Sequence, residues 1–245
     1  MHINNSSYKY DFKKMNKIQL YLDTADINKI IKTSNNQDVK GFTTNPSLMK
    51  KNKIRSYKKF IEYLCSKTNK PISFEIFSDN ENEIYNQAIR ISSYGKNIYV
   101  KIPIVNSKGK SLCKTIKKLS NEKIKLNITA VFTVKQFKEA YKSLNEKIPS
   151  IISIFAGRIA DTGRNPENII KKCVNIRKNK KIKILWASTR EFYNIIQAQN
   201  AKCDIITITP EIYAKKVLKN YNLEKYSTET SLMFYNDAKK LNLDI

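Results

Sequence analysis

Eight short β-branched runs, each followed by an amphipathic stretch, predict an α/β chain whose parallel strands close into a single (β/α)8, or TIM, barrel with an extra C-terminal helix. Length agrees: 245 residues, 41% of them hydrophobic, are enough for one such barrel and its core. Punctuation agrees too. There are only five glycines and six prolines, no Ser/Gly tract and no sharp shift in composition, so nothing reads as a linker.

The strand candidates are 18–23, 39–43, 72–77, 98–102, 124–131, 151–155, 182–187 and 203–207, beginning roughly 20–33 residues apart, the length of one βα unit. Between them, helical spacing of apolar residues marks 57–67, 81–92, 108–119, 134–144, 166–177, 191–199 and 212–221, with a short helix at 26–33 after the first strand. The stretch 227–241 reads as the extra helix. Alternation of this kind implies parallel strands joined by right-handed crossovers, and eight units favour closure over an open sheet. No GxGxxG turn supports a dinucleotide fold. The expected organisation is a tail over 1–15, a catalytic barrel over 16–225 and a terminal helix over 226–245. The polar, basic tail lacks the apolar stretch of a secretory signal, and reads either as disordered or as a strand-like cover over the barrel's lower end.

Composition removes several chemistries. The single histidine, His2, lies in the tail, which leaves no His-based metal site, Ser-His triad or Cys-His pair. Cys65, Cys113, Cys173 and Cys203 lack CxxC spacing and sit in apolar patterns, as small hydrophobes of a reducing cytoplasm do. No run approaches the ~18–20 apolar residues that cross a bilayer, so no membrane partner is expected. The net charge of +25 raises nucleic-acid binding as a rival reading. Yet the lysines are spread along the whole chain, no zinc-finger, RNP or GXXG motif accompanies them, and abundant Asn, Ile and Tyr point to an A- and T-rich coding bias. No nucleic-acid partner is therefore expected, although the charge attracts phosphorylated substrates.

Barrel chemistry sits at the carboxyl ends of the strands, so polar residues are expected to interrupt the apolar runs there. They do so in all eight: Asp23; Thr43, Thr44 and Asn45; Glu75; Lys101; Asn127 and Thr129; Arg158 and Asp161; Ser188 and Arg190; Thr207 and Thr209. One such residue is usually a cap or a solvated position. Eight converging on one face imply a site. Lys101, in Tyr-Val-Lys-Ile-Pro, has apolar neighbours on both sides, and its bland reading is a lysine snorkelling along the outer face. Pointing inward among apolar walls, its charged form is disfavoured, and a neutral amine condenses with a ketone to give an imine. The protonated imine is an electron sink for carbon–carbon cleavage that needs no metal and no organic cofactor.

Seven segments carry a resemblance: Leu-Asp-Thr-Ala-Asp (22–26), Gly-Phe-Thr-Thr-Asn-Pro-Ser-Leu (41–48), Val-Lys-Ile-Pro (100–103), Asn-Ile-Thr-Ala-Val-Phe (127–132), Gly-Arg-Ile-Ala-Asp-Thr-Gly (157–163), Ala-Ser-Thr-Arg (187–190) and Thr-Ile-Thr-Pro (207–210). In order and over about 18–220, they resemble the transaldolase family, most of all its short form, which includes the fructose-6-phosphate aldolases. The resemblance implies Lys101 as Schiff-base lysine and Asp23 as the carboxylate relaying protons at the C4 hydroxyl. Glu75 and Thr129 would hold a catalytic water, and Thr43, Asn45 and Asn127 would bind sugar hydroxyls. Arg158, Ser188 and Arg190 would clamp phosphate. Glu75 and Phe155 stand where the aldolase branch resembles a site with glutamine and tyrosine, which favours transfer of a dihydroxyacetone unit between sugar phosphates of the pentose phosphate pathway. Ala130, Phe132 and Trp186 are mild departures from the family pattern. Relatives imply a cytoplasmic homo-oligomer, ring-forming, in which 227–241 reaches a neighbour.

Overall fold

Side chains of a β-strand alternate between faces, so in each run one parity must look down the barrel axis and the other toward the helices. The computed structural model, which describes residues 18–241, bears this out with odd numbers inward, except at Val39 and Val131, which lie beside the register shifts of β1–β2 and β5–β6 and join the outer core. The strands are β1 (Gln19–Asp23), β2 (Val39–Thr43), β3 (Ile72–Glu75), β4 (Ile98–Pro103), β5 (Leu126–Val131), β6 (Ser150–Ile154), β7 (Ile182–Trp186) and β8 (Ile205–Ile208). All neighbours are parallel, in sequence order, and β8 pairs back onto β1 to close the barrel. Tyr21, Ile151, Leu185, Ala187 and Ile205 pack inside it against Tyr99 and Phe155. Even-numbered residues such as Leu22, Phe42, Phe74, Ile102, Ile128, Ile154 and Ile206 belong to the larger core beneath the helices.

The helices follow their strands: α1 (Ile27–Ser34), α2 (Pro46–Lys51), α3 (Tyr57–Lys67), α4 (Glu81–Ser93), α5 (Cys113–Asn121), α6 (Val134–Ser143), α7 (Ala156–Ala160), α8 (Pro166–Ile176), α9 (Asn194–Asn200), α10 (Pro210–Ala214) and α11 (Leu223–Leu241). Most begin at a side chain that satisfies orphan amides. Asp26, Asn45, Ser56, Asn80, Asn165 and Thr209 cap α1, α2, α3, α4, α8 and α10, and Thr133 with Gln136 forms a capping box on α6. The short helices α2 and α7 escape periodicity because neither completes two turns.

Three helices differ from their sequence expectation. α5 starts at Cys113, since residues 106–109 form a turn with Gly109 at positive φ and Val105 bridges Ser111. The stretch 212–221 is split between α10 and a 3-10 turn over Lys215–Leu218, so the outer ring ends on short pieces. The terminal helix begins earlier than expected, at Leu223, and buries none of its residues. Its Leu232, Met233, Phe234 and Tyr235 are all exposed. Expectations for the tail over 1–15 and for the last four residues lie outside the described ones.

At the lower end, the buried Arg177 guanidinium pairs with Asp204 and donates to the Ile182 carbonyl, tying α8 to the starts of β7 and β8. All four cysteines are free thiols; Cys173 and Cys203 are buried, and burial pushes Cys173 up to about 12. Cys65 and Cys113 are only half-buried. Among the described residues no helix is long and apolar enough to cross a membrane.

Candidate active site

Register decides which inward side chains meet. β3 and β4 pair Glu75 directly with Lys101, so both side chains leave the sheet on one face at one height. Lys101 is 6% exposed; its ammonium lies 3.1 Å from Glu75 Oε2 and donates to the Thr44 carbonyl at 3.0 Å. The surroundings of the amine are thus more polar than apolar walls, because the lysine chain carries Nζ up to the level of the carboxylates. The inward direction expected of Lys101 is the one observed.

β1 and β2 pair Asp23 with Thr43 in the same way. The Thr43 hydroxyl donates to Asp23 Oδ1 at 2.7 Å and also lies 2.7 Å from the Thr207 hydroxyl. Asn45 donates through Nδ2 to Asp23 Oδ2 at 3.3 Å, while its Oδ1 accepts from the Leu48 amide at 3.0 Å. One residue therefore caps α2 and fixes a carboxylate. Burial pushes the Asp23 carboxyl above the usual carboxylate range, opposed by the Lys101 charge and by the bonds from Thr43 and Asn45.

Thr129 is 1% exposed, and its hydroxyl faces the cavity without a protein partner. A buried hydroxyl with no partner costs free energy unless a ligand or solvent atom meets it. Asn127 departs from its expected place. Wholly buried, it spends its amide on Ser73 Oγ at 2.9 Å and its carbonyl on the Ser153 hydroxyl at 2.7 Å. It does not line the cavity. Asn127 pairs with Lys101 in register, but its short side chain stays below the level that the lysine reaches.

The opposite wall comes from β6, α7 and the β7–α9 loop. Phe155 follows β6, its ring 5.7 Å from Phe132, and the Arg158 guanidinium lies 5.9 Å from the Phe155 ring. A Cβ on Gly157 would sit 1.6 Å from the Ser188 carbonyl oxygen, so only glycine lets α7 close on this loop. Ser188 itself takes positive φ, 62°. Arg190 is half-exposed and salt-bridged to Asp161 at 2.5 Å, while its amide donates to Asn194 Oδ1 at 2.8 Å.

The result is a cavity of about 430 Å³ at the carboxyl ends of the strands, with Asp23, Glu75, Lys101 and Thr129 on its floor and Arg158 and Arg190 at its rim. Thr43, Asn45, Phe155 and Ser188 also line it. Ser153, which sequence reasoning missed, lines it as well, and its place between Ile151 and Phe155 in an odd-inward strand was the available signal. Thr207 and Thr209, recognised only as polar strand ends, belong to the same wall.

Residues 20–244 match the family model described as transaldolase/fructose-6-phosphate aldolase. The chain belongs to this family. Relatives include a protein of Caldicellulosiruptor saccharolyticus, 32% identical over 215 residues that cover 85% of this chain and 95% of its own length. Proteins of Nitrosopumilus maritimus and Thermoplasma volcanium are each 32% identical over 231 residues, covering 93% of this chain and 99% and 98% of their own lengths. All three carry the name probable transaldolase.

Proposed function

We propose that the chain is a transaldolase, moving a dihydroxyacetone unit from a ketose phosphate such as sedoheptulose 7-phosphate or fructose 6-phosphate to glyceraldehyde 3-phosphate or erythrose 4-phosphate. Family membership supports an enzyme of aldolase or transaldolase type. The observation that carries the finer reading is the buried Lys101 amine on the cavity floor, beside one carboxylate and opposite another.

In this mechanism Lys101 yields a proton to Glu75, and the neutral amine attacks the ketone carbon C2. The carbinolamine loses its oxygen as water, with a proton returned from Glu75, to leave a protonated imine. The partnerless Thr129 hydroxyl helps to hold the water that passes between them. Asp23 then takes the C4 hydroxyl proton. The C3–C4 bond breaks, its electron pair enters the iminium to give an enamine, and an aldose phosphate leaves. Addition of the enamine carbon to the acceptor aldehyde returns the proton from Asp23, and hydrolysis frees Lys101. Thr43 and Asn45 orient Asp23 and bind sugar hydroxyls, while Asn127 serves through Ser153. Arg158, Ser188 and Arg190 hold the phosphate with charge-assisted bonds. Phe155 has no hydroxyl to protonate the enamine, which favours transfer over release of free dihydroxyacetone.

Borohydride trapping with fructose 6-phosphate, followed by mass mapping, is expected to label Lys101, and Lys101→Arg to abolish the label because a guanidinium forms no such imine. An adduct at another residue, or none, would overturn the reading. Steady release of dihydroxyacetone without an acceptor would instead make the enzyme a fructose-6-phosphate aldolase. The same reading places the enzyme in the cytoplasm, as a homo-oligomer in which the exposed apolar residues of α11 meet a neighbouring subunit. Sedimentation should show Leu232→Ser with Phe234→Ser reducing the assembly's mass; an unchanged mass would remove α11 from the contact.

A further inference from the structure

Asp23 ends β1, which lies between β2 and β8; Thr43 of β2 pairs with it in register, while Thr207 of β8 pairs with Tyr21, two residues earlier. The two threonine hydroxyls are 2.7 Å apart, and the residues are only 2% and 4% exposed. A hydroxyl carries one proton, and an ionised carboxylate can only accept. While Asp23 is ionised, the Thr43 proton is committed to Asp23 Oδ1 at 2.7 Å, and the proton in the Thr43–Thr207 bond then comes from Thr207. The strand end that carries Thr207 is itself fixed, since the Thr189 hydroxyl donates to the Thr207 carbonyl at 3.1 Å.

We propose that Thr207 is a positioning residue for the proton-accepting carboxylate, donating to Thr43 while Asp23 is ionised and accepting from Thr43 once Asp23 holds a proton. This rests on the reading of Asp23 given under Proposed function. The reversal moves no heavy atom. The proton that Asp23 gains from the sugar turns toward Thr43 Oγ1, the Thr43 proton turns toward Thr207 Oγ1, and the Thr207 proton rotates away. Each hydroxyl keeps its own proton, and the only bond to hydrogen that breaks is that of the substrate. Aligned donors polarise one another, so the far hydroxyl strengthens the near one's hold on the carboxylate. The other groups facing Asp23 are the Lys101 ammonium from β4, Glu75 of β3 paired with that ammonium, and the Asn45 amide after β2. Tyr21, two residues earlier on β1, is neutral, since burial pushes its phenol up.

Thr207→Val keeps the shape and removes the hydroxyl. The readout is the carboxyl carbon of Asp23 in the full chain labelled at aspartate, assigned by its loss in Asp23→Asn and followed by NMR against pH. The Asp23 midpoint should rise by about half a pH unit in Thr207→Val, and further in Thr43→Val, while Thr207→Ser stays at the wild-type value. The turnover number should fall several-fold in Thr207→Val with KM little changed. Thr207→Ala should shift the midpoint in the same direction and serves if the valine variant does not fold. A midpoint unmoved by loss of the hydroxyl, or a serine variant that behaves like valine, would overturn the proposal. Trapping at Lys101 with an unmoved midpoint would remove the hydroxyl chain alone. A shifted midpoint without trapping would leave the chain standing and remove the transaldolase reading.

Discussion

At the scale of single residues, Lys101 and Asp23 share the cavity floor but differ in the partners that hold them. Lys101 finds its counter-ion in Glu75, 3.1 Å away, whereas Asp23 is met by hydroxyl and amide donors and feels the ammonium only through space. Burial wins at Asp23, whose carboxyl is raised from its ordinary value of 3.8. A carboxyl raised in the folded state binds more protons than the unfolded chain does between the two values, so stability falls as pH rises through that window. Asp23→Asn should therefore melt higher than wild type above the folded-state value, with the gap closing as pH falls toward 3.8. The same variant should lose about 10²–10⁴-fold in turnover, the worth of a positioned proton acceptor. In the proposed mechanism it should still trap at Lys101, because imine formation there precedes cleavage. A melting gap that widened toward acid pH would contradict the burial account.

At the scale of elements, β6–α7 and the loop after β7 form one unit that faces the lysine from across the mouth. Their contact is made at Gly157, where α7 begins directly after Phe155 and the Ser188 backbone fills the space a side chain would need. Gly157→Ala must push α7 and the loop apart, and with them Arg158 from Ser188 and Arg190. At the proposed phosphate clamp, a displacement of about 1 Å costs about tenfold to a hundredfold. The KM for fructose 6-phosphate should rise by that factor, while trapping with unphosphorylated dihydroxyacetone stays near the wild-type level. Steady-state kinetics with fructose 6-phosphate and borohydride trapping with dihydroxyacetone test this, and equal losses on both would show that Gly157 serves the whole barrel.

At the scale of the whole molecule, the +25 charge is spread along the chain, and a net charge of this sign attracts anionic substrates. Long-range attraction of a dianionic substrate is screened once the Debye length falls from roughly 30 Å at 0.01 M to about 8 Å at 0.15 M ionic strength. The value of kcat/KM for phosphorylated sugars should drop several-fold over that range, and that for dihydroxyacetone as donor should not. Stopped-flow or coupled assays across salt would show it. Salt-independent kcat/KM for the phosphorylated substrates would mean that the charge has no part in encounter.

The sequence determined on its own the eight alternating βα units, whose number favours a barrel, and the place of Asp23, Glu75, Lys101 and Thr129 at strand ends, because apolar runs and their spacing are local properties of the chain. It also carried the family's motifs, and with them the arginines of the rim. Tertiary structure alone decided which inward residues the cavity reaches and which partner each one takes. Asn127 and Lys101 share a register and a face, yet only the longer side chain rises to the cavity. Thr207 touches Thr43 only because β8 returns to β1, across 164 positions of chain. Side-chain reach and barrel closure act in three dimensions, and no local period records them.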